Sequence, residues 1–409
     1  MNATIEKTVK EHTSGFAGSR AANVGWFALL GAGVAAGAVA VIYVLSVGHL
    51  HAYNLTREVP WGILISTYVF FVVSSTGLCL VSSLGHVFGI KQFEIIGKRA
   101  IILAILTLLI GFGTIAMELN HPFRMVVWVV LSPNLSSPIW WMGTLYGIYL
   151  VLLCIEFYAL MKHRHALASV VGLLGFIAAV TAHSNLGAVF GLLEARPFWH
   201  GSFLPIYFIL SAMVSGGALL AMIVYFNNSF RGRAVPLNEQ RFMQSLGKLQ
   251  ALLLGILIFF VIWKTIPGLY GKPPGKYEAT MALLTGPLAV NFWFFEVLIG
   301  LAIPFAILLN PKTRTTFGVM FAGLLSTVGI FFMRYDLVVA GQLVPLRVDR
   351  AENVSTLLHY VPSLAEVTIV IAAICLCVLL YIMAERKLDL GGGKELPAAV
   401  GEIEEAIRN

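Results

Sequence analysis

The sequence predicts an all-α integral membrane protein of about ten transmembrane helices. Three observations predict it. Of the 409 residues, 58% are hydrophobic and 11% charged; a soluble domain carries about 25% charge, so a water-soluble enzyme is excluded. The apolar residues fall in blocks of about twenty or more, enough at ~1.5 Å per residue to cross ~30 Å of hydrocarbon. The blocks lack the alternation of a barrel strand, and a helix satisfies its own backbone in lipid.

The elements follow in order. The first span, 24–47, comes after a polar tail, 1–23, with Lys7, Lys10 and Arg20. That tail has no small-residue cleavage site, and the apolar block is too long for a removable signal. The second, 60–88, and third, 99–117, are split by Lys91, Lys98 and Arg99. The fourth, 138–160, follows a Ser- and Pro-rich stretch, and Lys162 and Arg164 separate it from the fifth, 167–187. The sixth, 203–226, and seventh, 247–271, flank Arg231, Arg233, Arg241 and Lys248. The eighth, 289–309, and ninth, 315–340, flank Lys312 and Arg314. The tenth, 363–384, runs into a polar tail, 385–409. Its Gly391-Gly392-Gly393 and acidic Glu402, Glu404 and Glu405 suggest a flexible end with a short surface helix. The transmembrane domain is therefore 24–384.

With this alternation, eighteen Lys and Arg fall on the side of the two termini and seven on the other, with Lys264 and Arg334 inside spans. Cationic loops stay inside, so both termini are expected in the cytoplasm and the chain in the inner membrane. The net charge of +7 is then a topology signal and does not indicate nucleic acid. Cys79, Cys154, Cys375 and Cys377 all lie in apolar blocks, so neither a disulfide framework nor a zinc site is expected. The outer loops 118–137, 188–202, 271–288 and 341–362 are rich in Pro and aromatics. They read either as an aromatic belt at the headgroups or as an ordered surface that docks another subunit.

A charge at mid-bilayer costs at least about 2.5–3.5 kcal/mol, so each ionisable residue in a span needs a reason. Glu118 ends the third helix, with His121 just beyond. His183 lies near the outer end of the fifth helix, and Lys264 in the outer third of the seventh. Glu296 sits about 10 Å below the outer surface on the eighth. Arg334 and Asp336 lie toward the outer end of the ninth, and Glu366 opens the tenth. His86, Glu94 and Glu156 are at or near the inner end. Single explanations exist: Lys264 can snorkel outward, Glu366 can complement a helix dipole, Arg334 can pair with Asp336 or Glu296. Together the residues suit a ligand with carbonyl or hydroxyl oxygens that exchanges protons, such as a quinone. Imidazole would bond one oxygen and relay a proton, a buried carboxyl would exchange another, and guanidinium would stabilise developing charge. Haem would need paired axial ligands at one depth. The histidines do not provide them, and the scattered cysteines exclude an iron–sulfur cluster in this chain.

The stretch Glu118-Leu119-Asn120-His121-Pro122-Phe123-Arg124, then Leu131-Ser132-Pro133-Asn134-Leu135-Ser136-Ser137-Pro138, resembles the NrfD/PsrC family. These are membrane subunits of polysulfide reductases, certain hydrogenases and related quinone-linked complexes. Further matches are Val59-Pro60-Trp61-Gly62, Glu156, Ala182-His183-Ser184-Asn185-Leu186-Gly187, Arg196-Pro197-Phe198-Trp199, Phe295-Glu296-Val297, Arg334, and Tyr360-Val361-Pro362-Ser363 with Glu366. Ten helices resemble the longer branch, found with hydrogenase-2, Hmc/Dsr/Qrc and alternative complex III assemblies. Asn120-His121 depart from the family's Gly-Arg, so either His121 takes the role of that Arg or the pocket differs.

The resemblance implies a subunit without resident haem or iron–sulfur cluster that binds menaquinone or ubiquinone near the periplasmic face. A ferredoxin-like iron–sulfur subunit would dock there, with further catalytic or cytochrome subunits beyond it. Glu118, His121, His183, Arg334 and Asp336 would surround the quinone. Glu156, Glu296 and Glu366 would be candidates for a proton path. Helices 2–5 and 6–9 would form two bundles related by duplication, of which the sequence shows only Ser74-Ser75-Thr76-Gly77 against Ser215-Gly216-Gly217. A secondary transporter would place its site at mid-membrane on broken helices, where this sequence has little polarity. A pure membrane anchor would need none of the acids.

Overall fold

The computed structural model describes residues 20–346, 357–388 and 390. Most of both expected tails, with Arg347 and Arg350 of the last outer loop, lies outside the described residues. Ten helices among the described residues are long and apolar enough to cross a membrane. They are α1 (Arg20–Val47), α2 (Ile63–His86), α3 (Gly97–Glu118), α4 (Pro138–Met161), α5 (His165–Gly191), α6 (Phe203–Phe230), α7 (Leu237–Leu269), α8 (Asn291–Leu309), α9 (Thr316–Ala340) and α10 (Leu364–Lys387). No described residue is in a strand. The all-α membrane architecture is therefore as the apolar blocks predict.

Local chemistry sets the helix starts. Pro138 opens α4 behind Ser137, whose side chain accepts the Trp140 N–H at 3.4 Å, and Thr315 caps α9 through the Gly318 N–H at 3.0 Å. Ser363 and Glu366 form a reciprocal capping box on α10, satisfying two otherwise orphaned N–H groups. Three features differ from the expectation. Helix α7 starts at Leu237 rather than 247, because buried Phe242, Met243 and Leu246 continue its inward face through a polar stretch. Three connections on the side opposite the termini contain short helices, His49–Ala52, Pro122–Leu131 and Lys276–Leu284. Residues Asn291–Ala302 of α8 form a π-helix, ending next to Pro304, which has no N–H to continue the ladder. Here α8 touches α9 backbone to backbone: a Cβ on Gly300 would lie 2.5 Å from the Gly329 Cα.

Helix α2 is the most enclosed of the ten and packs on α3, α5, α6 and α9. Helix α4 packs on α3 and α5, while α6 and α8 each pack on α7 and α9. Helices α1 and α10 pair with each other, α10 lying against α3. Helices α2 and α6 cross at close range. A Cβ on Gly77 would sit 1.7 Å from the Ala212 carbonyl oxygen, and one on Gly216 would sit 2.1 Å from the Gly77 carbonyl carbon. Small residues allow such an approach in lipid, and Ser74 Oγ bonds Ser215 Oγ at 2.9 Å. The two similar sequence segments thus meet at one crossing.

A polar network fixes the helix ends on one side, here called the basic face. Buried Arg99 pairs with Glu239 at 2.7 Å and Glu385 at 3.1 Å, and Arg231 also reaches Glu385, at 3.2 Å. Asn228 donates to Glu239 and Asn227 to Glu385. The network joins the start of α3, the end of α6, the start of α7 and the end of α10. On the opposite face, His49 Nε2 and Tyr53 Oη bond the Met117 carbonyl at 3.0 and 2.9 Å, tying the end of α3 to the segment after α1.

Candidate functional site

The ionisable residues sort into three groups. The first lies where α5, α6 and α9 meet, toward the face opposite the basic one. Tyr207, Phe208 and Ser211 share one side of α6 by helical spacing, and all three are buried. The Phe208 ring is shared: the Arg334 guanidinium carbon is 4.3 Å from its centroid and the His183 ring 5.8 Å away. Tyr146 Oη bonds His183 Nδ1 at 3.1 Å, which fixes the imidazole and turns Nε2 to a free position. Arg334 Nη2 donates to Ser211 Oγ. Left buried without a partner among the described residues are His183 Nε2, Arg334 Nε and Nη1, and Tyr207 Oη.

Glu296 on α8 and Asp336 on α9 extend this group. Both are buried, and none of their four carboxylate oxygens has a hydrogen-bond partner among the described residues. The Nζ of half-buried Lys264 on α7 lies 5.1 Å from the Tyr207 ring centroid and 6.0 Å from that of Phe198 in the loop before α6. Uncompensated polar groups in such surroundings cost several kcal/mol, so the arrangement is expensive as a scaffold alone. Between this group and the nearer face, Trp61 and Trp199 stack at 5.3 Å, with Phe190 edge-on to both. The Trp199 indole donates to the Leu337 carbonyl at 2.7 Å, and Gln342 exchanges hydrogen bonds with the Trp61 backbone at 3.0 and 2.9 Å.

The second group holds Glu118 and Glu366. Glu366 is committed to the architecture: Oε1 accepts from Tyr360 at 2.6 Å, and Oε2 accepts the Ser363 and Asn54 N–H groups at 2.8 and 3.3 Å. Burial and then the Glu366 charge push the Tyr360 hydroxyl well above its ordinary range, so it remains a proton donor to Glu366 while accepting the Ile63 N–H at 2.8 Å. Glu118 accepts the Gly62 N–H at 3.4 Å through Oε1, and its Oε2 is buried and unpartnered. No hydrogen bond, ion pair or ring contact among the described residues joins Glu118 or His121 to His183 or Arg334; His121 is exposed before the helix Pro122–Leu131.

The third group is His86 with Glu156, 2.5 Å apart near the basic face. Gly172 of α5 makes room for it: a Cβ there would come within 2.9 Å of His86 Nε2 and 3.1 Å of Glu156 Oε1. Farther along α4, Tyr149 donates to the Ser75 carbonyl at 3.0 Å, with Ser75 Oγ at 3.4 Å. One turn beyond is Tyr146, the partner of His183. Sequence reasoning missed Tyr146, Tyr149, Tyr207 and Ser211. The available signal was tyrosine deep within a span instead of at headgroup level.

The fold and the site define an all-α integral membrane protein with buried ionisable side chains where its helices meet. The family model described as "Polysulphide reductase, NrfD" matches residues 51–346, and the chain belongs to the NrfD family. It is 29% identical to a selenate reductase subunit of Mesobacillus selenatarsenatis, over 80% of this chain and 85% of the other. It is 29% identical to the Hdr-like menaquinol oxidoreductase integral membrane subunit of Archaeoglobus fulgidus, over 82% and 86%. A polysulfide reductase component of Wolinella succinogenes is 25% identical over 44% of this chain and 55% of its own length.

Proposed function

We propose that this chain is the quinone-reactive membrane subunit of a respiratory oxidoreductase complex of the inner membrane. It would exchange electrons between menaquinone or ubiquinone and an iron–sulfur partner docked on the face opposite the basic one. The observation that carries this reading is the set of buried, unpartnered polar atoms on His183, Arg334, Tyr207, Glu296 and Asp336. The names of the relatives support it: one denotes a menaquinol oxidoreductase, the others parts of selenate and polysulfide reductases. The charge bias of the loops supports a cytoplasmic basic face, and with it a periplasmic partner face. A ferredoxin-like subunit would sit there, with catalytic or cytochrome subunits beyond it.

The residues fit the group. A quinone supplies two-electron, two-proton redox chemistry when bound. His183 Nε2 and Arg334 Nη1 would hold its oxygens, Tyr146 keeping the imidazole in place. Arg334 would stabilise negative charge in a water-poor setting. Asp336, Glu296 and Lys264 stand beside them as groups able to hold and pass protons. The series His86, Glu156, Tyr149, Ser75 and Tyr146 is proposed as the proton route from the basic face.

The test uses the intact purified complex. Arg334→Gln and His183→Ala are expected to lower quinone-linked turnover at least tenfold, with assembly and the partner's dye-linked activity unchanged. A pure anchor would tolerate both substitutions. Solute uptake by the chain reconstituted alone would favour a transporter instead.

A further inference from the structure

One surface feature away from the polar site combines shape with charge. A groove of about 580 Å³ runs between α7 and the end of α8, lined on α7 by Lys248, Leu252, Gly255 and Phe259 and across from it by Phe305 and Arg314. The α7 positions recur every three to four residues and share one side of the helix. From Lys248 to Phe259 the helix rises about 16 Å, roughly half the thickness of the hydrocarbon core. Gly255 keeps the floor low, since a Cβ there would sit 3.3 Å from Phe305 Cε2.

Apart from its end the groove is apolar, and both its charges sit at the basic face. Lys248 is exposed. Arg314 is held in place: Nη1 donates to the Leu308 carbonyl at 3.2 Å, and its stem packs on Gly247. Its Nε is buried without a hydrogen-bond partner, and neither cation forms an ion pair among the described residues. An acyl chain of any lipid matches the walls, but two unneutralised cations at headgroup depth select negative charge.

We propose that this groove binds an anionic phospholipid, one acyl chain lying along α7 and the headgroup phosphate between Lys248 and Arg314. The site is independent of the quinone chemistry and would anchor α7 against α8 on the lipid side of the second helix group.

Native mass spectrometry of the delipidated intact complex tests it, with phosphatidylglycerol, phosphatidylcholine or inorganic phosphate added back. Phosphatidylglycerol is expected to be retained at least tenfold more strongly than phosphatidylcholine, and inorganic phosphate alone to give no adduct. Lys248→Gln with Arg314→Gln should erase the preference. Because Arg314 also braces the turn between α8 and α9, Lys248→Gln alone is the milder variant and should reduce the preference severalfold. Gly255→Leu should weaken both lipids by filling the groove. The proposal is overturned if Lys248→Gln and Gly255→Leu bind phosphatidylglycerol like the unaltered protein, or if inorganic phosphate displaces the lipid.

Discussion

Nε2 of His86 lies 2.5 Å from Oε1 of Glu156, linking the last residue of α2 to the final third of α4. Glu156 is fully buried, and its second oxygen has no partner among the described residues. Glu156→Gln keeps an acceptor for the imidazole while removing the titratable group. Electron transfer to quinone is expected to fall less than threefold, and proton uptake from the basic face, measured in vesicles, by at least half. Unchanged proton stoichiometry would remove Glu156 from the proposed route. Glu156→Ala should instead cost about 1–3 kcal/mol of stability, because it strands a buried hydrogen-bonding group.

The α2–α6 crossing has no space for a larger side chain. Gly216→Val would drive atoms into the Gly77 backbone, which even a Cβ would approach to 2.1 Å. Overpacking of this kind costs about 1–3 kcal/mol or more. Thermal unfolding of the detergent-solubilised complex should shift clearly downward, whereas Gly113→Ala, with open space at its Cβ, should leave it unchanged.

Arg99 neutralises two acids from different helices while itself 3% exposed. Arg99→Ala leaves Glu239 and Glu385 facing each other without it, a loss of about 3–5 kcal/mol for a buried pair. Membrane yield should fall strongly, and the double change Arg99→Met with Glu239→Gln should recover part of it. Equal yields for both variants would show that the network does not hold the helix ends.

Glu366 has its oxygens occupied by Tyr360, Ser363 and Asn54. Glu366→Gln and Ser363→Ala should therefore act on stability, the latter by about 1 kcal/mol as the loss of an N-cap. Quinone-linked turnover per assembled complex should stay within twofold. A tenfold fall in turnover with normal stability would return Glu366 to the proton path.

Hydropathy located all ten spans because lipid imposes one composition over one length. It missed the start of α7, where only Phe242, Met243 and Leu246 face inward, and the π-helix, which composition does not encode. Depth was also legible: His183 and Arg334 do lie toward the same face. Azimuth was not, since most spans are apolar on every side over most of their length and nothing in the sequence says which side meets which neighbour. Depth alone therefore groups Glu118 and His121 with His183; in the structure Glu118 accepts the Gly62 N–H at the start of α2. For the same reason the contribution of Tyr207 and Ser211 from α6 emerged only from the packing.

On the proposed reading a quinone binds against His183 and Arg334. Photolabelling of the intact complex with an azido-quinone, followed by peptide mapping, tests it most directly. Label is expected on α5, α6 or α9 within two helical turns of His183, Phe208 or Arg334, suppressed by excess unlabelled quinone and lost in Arg334→Gln. Label confined to other segments, or label at this site that excess quinone does not displace, would contradict it.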